Sequence, residues 1–207
     1  RLFHLCIKMS FEILATQNKA RAGNLLQKIS TPNFIPYSRL CAVPHILHTR
    51  RDEVPYKMIQ VVFTQLFQRR SVFADPECPS LRELANTGDY VLYMNYQDQL
   101  QLYNAEGGQE DTLWIKTQKG KASLNAEDWS SMIKKFTPEI VVTPYDKATP
   151  KTGNKKLRRI VKNSLTMTEN CMREFEKFQD DPIWTKPLVL APVLGGADIW
   201  QRRASGK

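Results

Sequence analysis

Residues 139–146 read EIVVTPYD, residues 187–196 read PLVLAPVLGG, and a stretch of helical spacing separates these two apolar runs. Short apolar runs rich in β-branched residues are typical of strands that are buried on both faces. Between them, a helix after Asn154 has one apolar face. That face consists of Leu157, Ile160, Val161, Ser164, Thr168, Cys171, Met172 and Phe175. Strand, helix and strand in this order predict a parallel βαβ unit, which builds either an open sheet or a (β/α)8 barrel.

The preceding residues extend this α/β pattern towards the N-terminus. Residues 90–96, YVLYMNY, are typical of a strand because they are aromatic and β-branched. Residues 112–124 predict a hairpin that turns at Lys119 and Gly120. Asn125 is placed to cap a helix with one apolar stripe. The stripe consists of Trp129, Met132, Ile133 and Phe136.

Two further helices are predicted between residues 54 and 88. Ser80 is placed to cap a short helix that Gly88 ends. Residues 54–69 also have helical spacing, with Pro55 suited to the first turn. The residues that follow this spacing are Val54, Met58, Val61, Val62, Gln65, Leu66 and Arg69.

The N-terminal part of the chain has a different pattern. Residues 9–40 predict three short strands, at 9–15, 22–29 and 33–40, and residues 42–55 predict a loop. Residues 1–8 are interpreted as a tail.

The charge balance and the cysteines limit the classes of partner and site. Thirty Lys and Arg against 21 Asp and Glu give a net charge of +9, which favours nucleic acid, and then an anionic membrane surface, as partner. Four scattered cysteines and three histidines form no zinc-binding spacing, and single thiols suit a reducing compartment. No apolar run approaches the ~18 residues of a membrane span.

Two positions at the predicted carboxyl ends of the strands are candidates for ligand contact. Gly195 and Gly196 end one strand, where glycine permits close approach of a ligand but also a plain strand-to-helix turn. Asp146 ends the neighbouring strand and is suited either to accept hydrogen bonds from a ligand or to cap its own loop. Both alternatives stay open for each position.

Six basic residues surround the start of the helix that follows Asn154. Cations at a helix N-terminus oppose the helix dipole, so this arrangement predicts a phosphate contact, with a solvated face as the alternative. They are Lys151, Lys155, Lys156, Arg158, Arg159 and Lys162. No residue pattern indicates a catalytic group.

Four segments, in this order, resemble the tRNA-guanine transglycosylase family. They are TPNFIPYSRLCAVPHI (31–46), TPEIVVTPYDKATP (137–150), LRRIVKNSLTMTENC (157–171) and LVLAPVLGGADIWQRR (188–203). The resemblance covers Met9 to Ser205 and is greatest to the non-catalytic subunit of the eukaryotic enzyme. It implies an irregular, partial (β/α)8 barrel, with a small N-terminal antiparallel sheet over residues 9–40 and barrel units over residues 41–207. The family exchanges guanine for queuine at the wobble position of tRNAs with GUN anticodons, through a nucleophilic aspartate and a covalent intermediate.

The resemblance assigns base-binding positions residue by residue. Asp146 matches the base-recognising aspartate, and residues 193–196 match a V-Q-G-G segment that contacts the base; here they are Val193, Leu194, Gly195 and Gly196. Leu194 replaces the glutamine of that segment, and Lys147 and Ala148 replace a Glu-Cys pair. A family D-S-G-G-F-Q segment, expected between Val54 and Tyr90, is not found. The nucleophile and the zinc ligands belong to a later part of the family's barrel.

The resemblance therefore implies a non-catalytic subunit that forms a heterodimer with the catalytic queuine tRNA-ribosyltransferase subunit and helps to hold tRNA. Neither a catalytic residue nor a metal ligand is predicted in this chain. The alternatives are a catalytic transglycosylase and a queuine-binding protein without chemistry. The chain resembles an N-terminal half, and a half barrel is expected to be marginally stable alone. The cytoplasm is the expected location, with peripheral association at the mitochondrial outer membrane.

Overall fold

A computed structural model describes residues 11–206 of the chain, apart from 76, 99–110, 118–119 and 150–151. The predicted tail over residues 1–8, and Lys151 and Lys119, lie outside the described residues. The strands are β1 Phe11–Gln17, β2 Ala20–Leu25, β3 Ile29–Thr31, β4 Met58–Val62, β5 Val91–Asn95, β6 Leu113–Thr117, β7 Gly120–Leu124, β8 Ile140–Val142 and β9 Leu188–Leu190. The α-helices are α1 Phe63–Phe67, α2 Arg70–Phe73, α3 Leu81–Leu84, α4 Ala126–Phe136, α5 Asn154–Glu176 and α6 Ile199–Ser205; a 3-10 helix spans His48–Glu53.

A parallel sheet of four strands, in the order β4-β5-β8-β9, forms the centre of the fold. All three strand pairs are parallel, with Met58 opposite Val91 and Ile140 opposite Leu188. The predicted βαβ arrangement is therefore confirmed, and α5 is the connection between β8 and β9. The fold is mixed α/β, and in the described residues this sheet does not close into a barrel.

One face of the parallel sheet packs against the helices and forms the main hydrophobic core. Because strand side chains alternate between the two faces, Val61, Met94 and Val141 all point to this side. The aromatic side chains of α4 and α5 cover them, and Trp129, Phe136 and Phe175 are completely buried. The predicted apolar stripe of α4 is confirmed, because Ile133 is also completely buried there and Met132 packs against the core.

The opposite face of the sheet is covered at its amino end by the N-terminal sheet. Strands β1, β2 and β3 pair antiparallel in sequence order, as predicted for this region. Ile29 of β3 packs against the first residues of three parallel strands, namely Met58, Val91 and Ile140. The carboxyl ends of the parallel strands lie at the other edge.

Two predicted elements are wrong. Residues 33–40 form no strand, because Pro36 cannot donate a hydrogen bond to a ladder, and the chain instead turns at residues 26–28 into the short β3. The predicted helix over 54–69 is replaced by β4 followed by α1. Since β4 is buried along its whole length, it is apolar at nearly every position, and such a run fits a helical period by chance.

The predicted caps and the hairpin are confirmed, with shifts in the boundaries. The Ser80 hydroxyl accepts from the Glu83 amide, and Glu83 bonds back to the Ser80 amide in a capping box. The chain leaves α3 at Asn86, which has a positive φ, two residues before the predicted Gly88. The Asn125 side chain accepts from the Asp128 amide, and β6 pairs with β7. The predicted loop over 42–55 contains the 3-10 helix.

Candidate functional site

The carboxyl edge of the parallel sheet is the candidate site, because ligands of parallel α/β folds bind outside the carboxyl ends of the strands. Strands β4, β5, β8 and β9 all end at this edge. The segments that follow β5, β8 and β9 contain the polar and glycine residues described below.

Asp146 lies four residues beyond β8 in a segment that is tied to α5. Its backbone N–H donates to the buried Ser164 hydroxyl at 3.0 Å, and the Thr143 hydroxyl lies 3.0 Å from that of Thr168. Asp146 is only 7% exposed. Burial raises the pKa of the nearby Tyr96 phenol, and the negative charge of Asp146 raises it further. Helix α5 therefore holds the candidate base-recognising carboxylate at a fixed position.

Two polar residues at this edge, Asn95 and Asp98, are absent from the sequence predictions. Asp98 is 2% exposed and accepts hydrogen bonds from the Tyr37 hydroxyl at 3.0 Å and from the Gln65 amide at 3.1 Å. Burial and this hydrogen bond to Asp98 raise the pKa of Tyr37. For Asn95 the signal was available, because this residue lies near the end of the strand predicted over residues 90–96.

Asn95 is the last residue of β5 and is also 2% exposed. Within the described part of the chain, its side-chain nitrogen has no hydrogen-bond partner. It lies on the same face of the sheet as Tyr93, opposite the face that packs against the helices, because the two residues are two positions apart in one strand. The edge therefore combines a buried amide donor with two buried carboxylates.

The glycine pair forms the turn between β9 and α6. Gly195 has φ +122°, and a Cβ atom at this position would lie 2.5 Å from the Arg202 backbone nitrogen. Its carbonyl accepts from the Asp198 amide at 3.0 Å, and Asp198 caps α6. The plain-turn interpretation therefore accounts for Gly195, since close packing of α6 by itself requires glycine there.

The other residues of the matched segment differ in exposure. Val193 is 60% exposed and Gly196 is exposed, whereas Leu194 is partly buried and donates its backbone N–H to the Ser205 hydroxyl at 2.9 Å. Gly196 has φ +55° with open space around it. Gly196 and Val193 are thus the two positions of this segment that a ligand can reach.

The basic residues that were predicted to contact phosphate extend over the first turns of α5, which begins at the carboxyl edge. Gly153 precedes the helix without a side-chain cap, and no acidic residue lies in its first turn. All the basic residues at 155–162 are exposed: Lys155, Lys156, Arg158, Arg159 and Lys162. In the described structure, the first four of these have no hydrogen bond or ion pair with the protein. This end of the helix is a concentrated positive surface.

The described residues contain no ligand set for the family's zinc site, because no three His, Cys, Asp or Glu side chains come together among them. Cys171 is buried, and burial raises the pKa of its thiol, which disfavours the thiolate that binds metal. None of the helices in the described ranges is long and apolar enough to cross a bilayer.

Comparison with known protein families decides the relationship. The family model for queuine tRNA-ribosyltransferase matches residues 16–207. The chain belongs to this family. It is 25% identical over 211 residues to the queuine tRNA-ribosyltransferase accessory subunit 2 of Drosophila mojavensis. It is 24% identical over 204 residues to the protein of the same name from Drosophila virilis.

Each alignment covers most of this chain but less than half of the relative. It includes 93% of this chain but only 47% of each Drosophila relative, so the chain spans about half the length of the relatives it matches. The family membership confirms the resemblance inferred from the ordered segments. It is consistent with a barrel-type fold, of which four parallel strands are described here.

Proposed function

We propose that the chain acts in tRNA modification as part of a non-catalytic subunit of queuine tRNA-ribosyltransferase. One observation carries the proposal: the exposed cations at the start of α5 lie at the same edge of the sheet as the buried Asp146. A phosphate-binding surface at the same edge as a buried polar site fits a tRNA that presents one exposed nucleotide. The accessory subunit name of both relatives supports the same role.

Each group has a separate task in this proposal. The α5 cations and the positive end of the helix dipole attract the tRNA phosphates and orient the RNA without reading its sequence. Asp146 is a hydrogen-bond acceptor for N–H groups on the edge of a base. Leu194, with an apolar side chain in place of the family's glutamine, cannot hydrogen-bond that base. The site is suited to hold RNA beside a catalytic centre supplied by a partner.

The proposal includes a partner and a larger barrel. Strand β9 is an edge of the described sheet, and apolar side chains are exposed on and after it. These exposed residues are Leu190, Val193, Ile199 and Trp200. In a partial (β/α)8 barrel, further strands and helices cover such a face. The catalytic subunit forms a heterodimer with the complete accessory subunit. A cytoplasmic location, at the mitochondrial outer membrane, stays a prediction from the resemblance.

The double variant Lys155→Glu/Lys156→Glu tests the proposal. We expect its binding to a tRNA with a GUN anticodon to depend less steeply on salt concentration. The slope of log K against log salt should fall in magnitude by roughly 2, about one for each phosphate that the variant no longer neutralises. Fluorescence anisotropy at salt concentrations between about 50 and 200 mM measures this slope.

The matched control is Lys19→Glu/Arg21→Glu, which makes the same change in net charge on exposed residues of the N-terminal sheet. It should leave the slope nearly unchanged. Equal slopes for wild type and the Lys155/Lys156 variant would refute the assignment of the α5 surface to tRNA.

A further inference from the structure

A second basic surface lies away from the carboxyl edge, in a groove between α2, the β6–β7 hairpin and α4. This α4 groove has a volume of about 1010 Å³. Its floor is apolar and includes Phe67, Phe73 and Phe136, all buried in the main core. The groove lies on the helix-covered side of the sheet, and none of the α5 cations lines it.

The charged side chains of the groove are mostly positive. They are Arg69, Arg70, Lys121 and Lys135, against a single acid, Asp128. The serines Ser71 and Ser131 and the hydroxyl of Thr117 add neutral hydrogen-bonding groups.

The positive charge of the groove is not neutralised by carboxylates at three of these positions. Arg70 donates to the Phe67 carbonyl at 3.3 Å and lies 4.5 Å over the Phe67 ring, while Lys135 donates to the carbonyls of Phe73 and Asp75. Arg69 is exposed and, among the described residues, has no side-chain hydrogen bond or ion pair. Neutral carbonyls anchor two of the cations but leave their charge uncompensated.

Neighbouring lysines outside the groove differ in this respect. Lys134 pairs with Asp181 at 2.6 Å and Lys177 pairs with Glu174 at 2.7 Å. Lys134 and Lys135 are adjacent on α4. In the described part of the chain, Lys134, which lies outside the groove, has a carboxylate partner, whereas Lys135, which lines the groove, has none. The uncompensated charge is therefore concentrated inside the groove.

We propose that the α4 groove binds the phosphate backbone of an RNA strand. Arginine, lysine and serine or threonine hydroxyls are the side chains that contact phosphates, and the two arginines offer the planar donor groups that phosphate oxygens accept in pairs. The part of α4 that lines the groove, from Asp128 to Phe136, is about 12 Å long at 1.5 Å per residue, which suits an extended strand. The apolar floor of the groove is suited to pack against the sugars and base faces of RNA, and an acidic peptide has no such groups.

This surface goes beyond the proposed function, because it adds a contact with RNA away from the anticodon site. It rests on that function only in taking tRNA to be the natural RNA. A single-stranded RNA of ten nucleotides, labelled with fluorescein, tests the groove without that assumption. The test uses the 207-residue chain and fluorescence anisotropy over a series of salt concentrations.

The variant Arg69→Glu/Lys121→Glu should weaken RNA binding at least tenfold and lower the magnitude of the salt slope by about 1.4, roughly 0.7 for each phosphate of a single strand that is no longer neutralised. Lys19→Glu/Lys57→Glu makes the same charge change on exposed residues outside the groove and should change the affinity less than threefold. Circular dichroism checks folding, and the milder Arg69→Gln should still weaken binding if the double variant unfolds.

Three results would overturn the inference. The first is equal RNA affinity of the groove variant and its control. The second is competition by GMP alone as strong as by RNA, which would make the groove a site for free nucleotides. The third is a polyglutamate peptide that binds in place of RNA. If the Lys155/Lys156 variant fails to bind tRNA while the groove variant binds RNA as the wild type does, the proposed function stands and only the groove is rejected.

Discussion

Replacement of Gly195 by alanine is expected to lower the free energy of unfolding by about 3 kcal/mol and to detach α6. The backbone at φ +122° is strained for any residue with a Cβ atom, which contributes roughly 1–3 kcal/mol. The added methyl group would also lie 2.5 Å from the Arg202 nitrogen and 2.8 Å from the Gln201 carbonyl carbon. Both are backbone atoms of α6, so the helix itself has to move.

Urea denaturation measures the decrease in stability, and hydrogen exchange of the α6 amides shows where it occurs. Gly196→Ala separates the two causes, because Gly196 has φ +55° but open space, and should lose only about 1 kcal/mol. Gly153→Ala has neither feature and should be close to neutral. A Gly195→Ala variant as stable as Gly153→Ala, with α6 still protected, would show that the turn does not depend on glycine.

Replacement of Trp129 by alanine should destabilise the fold by about 4 kcal/mol, within the range of large aromatic truncations in a packed core. Trp129 is completely buried between the sheet and α5, with its ring centroid 5.3 Å from that of Phe175 and 6.5 Å from that of Phe63. These contacts join α4, α5 and the start of α1. Truncation would therefore leave a cavity where three elements meet.

The exposed Trp200 provides the control for this truncation. It is 74% exposed, so Trp200→Ala should change stability by no more than about 0.5 kcal/mol. Chemical denaturation of both variants under the same conditions gives the comparison. Similar losses of stability for the two tryptophans would contradict the packing of α4 on the sheet.

The sequence predicted the parallel unit well because two independent signals agreed. Strands β8 and β9 are short apolar runs, and α5 has a sustained helical period with one buried face. The prediction for the residues of β4 was wrong for a related reason. Where every position is buried, the spacing of apolar residues no longer distinguishes a strand from a helix. Only the pairing of Met58–Val62 with β5 determines its structure.

The candidate site was predictable only in part. Asp146 and the cations of α5 follow from their positions at the ends of elements. Asp98 depends on Tyr37, which is 61 residues away in the chain, and such a contact is set by tertiary packing. The role of Gly195 also became clear only in three dimensions, because its constraint comes from the backbone of α6 folding back on it. Its presence in a matched family segment does not by itself indicate contact with a base.

The measurement that tests the non-catalytic role most directly is guanine exchange on a tRNA with a GUN anticodon. Labelled queuine is supplied with the chain alone, with a catalytic queuine tRNA-ribosyltransferase subunit alone, and with both together. We expect no exchange by the chain alone and faster exchange by the catalytic subunit when the chain is present. Exchange by the chain alone, in the absence of any catalytic subunit, would contradict a non-catalytic role and make this chain an enzyme.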